Sequence, residues 1–95
     1  MDINTITKKT TPTLKSYGVK KAALFGSQAS GGAKQTSDVD ILVELGTPMS
    51  LLEYIGLKQD LEDSLGQKVD LVQYKSIKPS LKDSVLREAT TIYKA

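Results

Sequence analysis

The chain has 95 residues, enough for one domain with a lean core and too few for a separate substrate-holding domain. It is 39% hydrophobic and 25% charged, has a net charge of +2, and contains neither cysteine nor histidine. Those absences exclude disulfides, thiol catalysis, thiolate zinc sites, a Ser-His-Asp triad and imidazole metal ligands, so any catalysis must use carboxylates, lysines, hydroxyls, backbone groups or a metal held by oxygen.

Residues 3–17 read as a helix with Ile3, Ile6, Leu14 and Tyr17 inward. Pro12 either kinks it, or Thr11 caps a second short helix that opens on Pro12. Gly18 is a helix stop. Residues 20–25 (KKAALF) read as a buried strand, and 38–44 (DVDILVE) as a second with Val39, Ile41 and Val43 on one face. After a Gly-Thr-Pro turn, 49–65 predict an amphipathic helix with Leu51, Tyr54, Leu57, Leu61 and Leu65 at helical spacing, stopped by Gly66. Residues 68–73 (KVDLVQ) are a third strand. Pro79 opens a last helix in which Leu81, Val85, Leu86 and Ile92 are candidate inward positions. The expected fold is α/β (α+β): one domain over 1–95, a small mixed sheet of three to four strands, and helices packed on it. No apolar run is long enough to span a membrane, and the polar N-terminus lacks a signal-peptide core, so a cytoplasmic protein is expected.

Charge is segregated along the chain. Residues 1–37 hold six lysines and one acid, 38–70 eight acids and two lysines, and 71–95 five cations and two acids. Most of these charges belong to a solvated surface, although a basic first third also suits an anionic ligand such as a nucleoside triphosphate. Basic residues are not interleaved with aromatics, so no direct nucleic-acid binding is expected.

The chemistry concentrates in FGSQASGGAKQTSDVDILVE, residues 25–44. Asp38 and Asp40, two apart on a strand, point the same way and repel unless water or a divalent cation separates them. Magnesium suits the second remedy because it takes oxygen ligands and shares its shell with phosphates. Asp70, in an apolar VDLV segment, is costly if buried unpaired; it either faces solvent from an edge strand or joins the other two carboxylates. Gly26 lets a ligand approach the backbone, and Ser27 offers a hydroxyl and an N–H for phosphate. The loop matches neither the Walker A nor the Rossmann pattern.

Gly26-Ser27, ten residues, then Asp38-Val39-Asp40 resembles the G-S-x10-D-x-D signature of the DNA polymerase β nucleotidyltransferase superfamily. YGVKKAALFGS before it, the third acid in VDLV and LKDSVLREATTIY near the end are similar to the minimal nucleotidyltransferase (MNT) branch, found in HEPN/MNT toxin–antitoxin modules. The resemblance implies that Asp38, Asp40 and Asp70 are catalytic and hold two magnesium ions, and that Gly26 and Ser27 hold the triphosphate of ATP. It further implies an antitoxin of a type VII-like pair. Such a protein adenylyltransferase moves AMP from ATP to a tyrosine of a helical HEPN RNase toxin encoded nearby, with which it forms a hetero-oligomer. Many relatives carry arginines after Gly-Ser, as in G-S-R-A-R-G, whereas here Gln28, Ala29, Ser30 and Gly31 follow. That departure keeps open an antitoxin that neutralises its toxin by binding alone. A small-molecule nucleotidyltransferase is a third alternative, disfavoured by the chain's size.

Overall fold

Alternating apolar residues on the strands and apolar residues at three- and four-residue spacing on the first two helices give both a face to bury, and the fold joins those faces. A computed structural model of the chain describes residues 2–25 and 39–95. Its elements are α1 (Ile3–Ser16), β1 (Val19–Phe25), β2 (Val39–Leu45), α2 (Leu51–Leu65), β3 (Val69–Gln73), a 3-10 turn (Tyr74–Ser76), α3 (Pro79–Glu88) and β4 (Thr90–Lys94).

The sheet order is β3-β2-β1-β4. β1 runs antiparallel to both β2 and β4, whereas β2 and β3 are parallel, with α2 as the crossover. Val39, Ile41 and Val43 of β2 join Ala22 and Leu24 of β1, Val69 and Leu71 of β3 and Ile92 of β4 in the main core. Ile6 and Leu14 of α1 and Leu57, Leu61 and Leu65 of α2 close it. Ala23 and Leu42, paired across β1 and β2, are buried outside that cluster, on the sheet's opposite face.

The helix ends follow their local chemistry. The Asp2 side chain caps α1 by accepting from the Thr5 N–H at 2.7 Å. Pro12 neither breaks α1 nor starts a new helix: the helix runs through it, anchored by buried Ile6 and Leu14 on either side. Ser50 and Glu53 form a capping box at the start of α2, two residues later than the spacing predicts, and Gly66 ends it in the left-handed conformation. Gly18 also has a positive φ, +70°, and its carbonyl lies where Gly46 passes. A Cβ on Gly46 would sit 2.6 Å from that oxygen, so the turns after α1 and β2 can pack only with glycine there.

Three expectations are corrected. Leu51 is exposed rather than inward, because it occupies the first position of α2, before the helix reaches the sheet. The last helix ends at Glu88, and Ile92 enters the core from a fourth strand instead. β-branched Thr90, Thr91 and Ile92 with Tyr93 favour an extended chain, and β1 offers a free edge to pair with. Leu81 and Leu86 of α3 are consequently exposed, and Val85 is half-buried.

β3 is the sheet's outer strand next to β2, and α2 covers its edge. The Tyr54 hydroxyl donates to the Leu71 carbonyl at 2.9 Å, and Glu62 accepts from the Val69 N–H at 2.9 Å. These bonds satisfy backbone groups that would otherwise template another strand.

Candidate active site

β2 and β3 deliver the candidate carboxylates. Asp40 and Asp70 are direct partners in the parallel register, between the Val39–Val69 and Ile41–Leu71 pairs. Since those flanking pairs face the core, alternation puts both aspartates on the opposite face. Adjacent strands lie about 4.8 Å apart, so the two carboxylates are neighbours across the ladder. Asp70 is exposed and Asp40 half-buried. Phe25, the residue before the glycine-serine loop, is the partner of Asp40 on β1. Asp70 thus faces solvent from an edge strand and stands beside Asp40.

Gly26, Ser27 and Asp38 lie outside the described residues. Among the described residues no cluster of three or more acidic side chains forms a metal site, and Asp40 with Asp70 is the part of the expected set on view. Their oxygen-only chemistry fits magnesium: two adjacent carboxylates supply anionic oxygen while leaving most of the ion's shell to water and phosphate.

Two tyrosines make contacts that the sequence does not signal. Tyr54 reads as a core position of α2, yet its hydroxyl reaches the β3 backbone. Burial, and secondarily the charge of Asp70, raises the Tyr54 pKa above its ordinary value near 10. Tyr74 follows β3 and lies under the Lys21 ammonium, 5.7 Å from its ring centroid. Burial and then the nearby Glu44 charge raise its pKa as well. Both arrangements join segments distant in sequence, so no local signal marks them.

The family model for polymerase beta nucleotidyltransferases matches residues 8–95, nearly the whole chain. The chain belongs to this nucleotidyltransferase family. A Methanocaldococcus jannaschii relative is 51% identical over 65 residues, 68% of this chain and 70% of its own length. The protein adenylyltransferase MntA of Thermococcus cleftensis is 45% identical over 76 residues, 80% of this chain and 77% of its own. Among solved structures, a chain from a toxin–antitoxin complex with AMP-PNP aligns with a TM-score of 0.79 at 25% identity, covering 94% of this chain and 73% of that one. As a member of the nucleotidyltransferase family, the chain has a mixed sheet in which the β2–β3 pair carries two of the three acidic positions expected from the sequence.

Proposed function

We propose that this chain is an antitoxin that acts as a protein adenylyltransferase, moving AMP from ATP to a tyrosine of a HEPN-family toxin. The observation that carries the reading is Asp40 and Asp70 in register on neighbouring strands, in a chain of this family whose relatives include a named protein adenylyltransferase. The similarity to a chain solved within a toxin–antitoxin complex supports the partner class.

In this reading Asp38, Asp40 and Asp70 hold two magnesium ions, while Gly26 and Ser27 hold the triphosphate. The bound ions supply charge neutralisation for the phosphates and for the leaving diphosphate. The acceptor hydroxyl oxygen attacks the α-phosphorus, a new P–O bond forms, and the bond from that phosphorus to the bridging oxygen breaks. Diphosphate leaves with that oxygen. Asp70, the more exposed of the two described carboxylates, takes the hydroxyl proton. Such chemistry needs no histidine or cysteine, and the chain has neither. A reaction that uses ATP and an RNase toxin supports a cytoplasmic location for the protein in this reading.

The test is co-expression with the HEPN protein encoded alongside, followed by intact mass of that partner. Wild type should add one or more AMP units, and Asp40→Asn should add none. A partner modified equally by Asp40→Asn would overturn the assignment. A stable complex with no mass gain in either sample would instead support neutralisation by binding alone.

A further inference from the structure

At the other end of β2 and β3, away from the aspartates, lies a cleft of about 450 Å³. Glu44, Pro48, Met49, Tyr74, Lys75 and Lys82 are among the residues that line it. It opens beyond the C-terminal ends of the parallel pair, where ligands commonly bind in α/β sheets. Glu44 is four residues along β2 from Asp40, about 13 Å at 3.3 Å per residue. The cleft and the carboxylates are therefore neighbouring but separate sites.

The helix segments that adjoin the lining residues in the chain are apolar and exposed. Leu51 and Leu52, immediately after Met49 and Ser50, are 74% and 82% exposed, and Ile55 one turn on is 45% exposed. Leu86, 41% exposed, stands one turn along α3 from Lys82 and on the same side of the helix. Exposed leucines on the two helices that contribute to or follow the lining are the usual mark of a surface that docks another chain. Cations outnumber acids around them: residues 75–88 carry Lys75, Lys78, Lys82 and Arg87 against Asp83 and Glu88, and Glu44 is the acid in the cleft lining. A leucine-flanked groove with a basic rim complements an amphipathic helix that has an apolar stripe and acidic flanks.

We infer that the cleft between the start of α2 and α3 docks an acidic amphipathic helix of the acceptor protein, holding it while its tyrosine reaches the Asp40–Asp70 face. This inference rests on the adenylyltransferase reading for the identity of the acceptor, but not for the surface itself. Docking beside the carboxylates, rather than over them, leaves the nucleotide free to exchange while the partner stays bound.

The test compares wild type, Leu51→Asp/Leu52→Asp, Lys82→Glu and Asp40→Asn for affinity to the purified HEPN partner at low and high salt. Acids at the first two positions of a helix favour its N-terminal dipole, so the double variant should keep its circular-dichroism melting curve. The expected result is at least a tenfold loss of affinity for the double variant. Lys82→Glu should bind more weakly at low salt and show a shallower salt dependence. Asp40→Asn should bind as wild type does. Wild-type affinity in the double variant overturns the docking surface, as does the absence of wild-type binding. A shift in the chain's own sedimentation without loss of partner affinity also overturns it, marking a contact between copies of this chain. AMP transfer by Asp40→Asn sinks the catalytic reading and leaves the docking result standing, so the two failures are distinct.

Discussion

Single atoms decide several features. At Gly46 one added methyl group would collide with the Gly18 carbonyl, and backbone on both sides prevents easy relief. Gly46→Ala should destabilise the fold by about 1–3 kcal/mol, the usual cost of overpacking, and lower the melting temperature accordingly. Asp2 shows the same economy at the start of α1. The Thr5 N–H is the main cause of its lowered pKa, which lies below the ordinary 3.8. A depressed folded-state pKa means the cap's contribution is present above the unfolded value and lost as pH falls through the folded one. Asp2→Ala should therefore lower thermal stability at neutral pH, and the difference from wild type should vanish in strong acid.

Among the elements, α2 has the most varied role. It crosses over between the parallel strands, buries three leucines, and seals the outer edge of β3 through Tyr54 and Glu62. Tyr54→Phe keeps the ring and removes the bond to the Leu71 carbonyl, so about 1 kcal/mol should be lost in chemical denaturation. Because the Tyr54 pKa is raised, that contribution is full below pH 10 and fades as pH climbs through the folded value. The capping box makes a separate contribution: Ser50→Ala should cost about 1 kcal/mol by the same measurement. α3 behaves differently. It has no fully buried residue, so its exposed leucines are available to a partner, whereas those of α2's last turns are committed to the core.

Across the whole molecule, the β2–β3 ladder is where the sheet's register and the candidate chemistry meet. Like charges directly across a sheet disfavour pairing. Asp70→Asn should leave the melting temperature unchanged or raise it slightly, with up to about 1 kcal/mol gained, and should abolish AMP transfer. A large loss of stability on that change would mean that Asp70 has a structural role. The sheet's other face is buried against α1 and α2, which hold the β2–β3 register independently of the carboxylates.

Local pattern was enough for much of this protein. The apolar spacing of Ile6, Leu14, Leu57, Leu61 and Leu65, and the alternation of Val39, Ile41 and Val43, identify core faces because burial acts on each element's own periodicity. The Gly-Ser and Asp-x-Asp spacing points to the family, and the apolar VDLV context marks Asp70. What needed the tertiary structure was every relation between distant segments. The Asp40–Asp70 pairing depends on the parallel register set by the α2 crossover. That Ile92 lies in a strand, Thr90–Lys94, rather than in the last helix depends on β1 having an edge to fill, since hydrogen bonds to a neighbouring strand exist only once that strand is in place. Leu51, Leu81 and Leu86 have the residue type of core positions and lie on the surface, because hydrophobicity gives a side chain a reason to be buried but packing decides which side chains find a face to bury against.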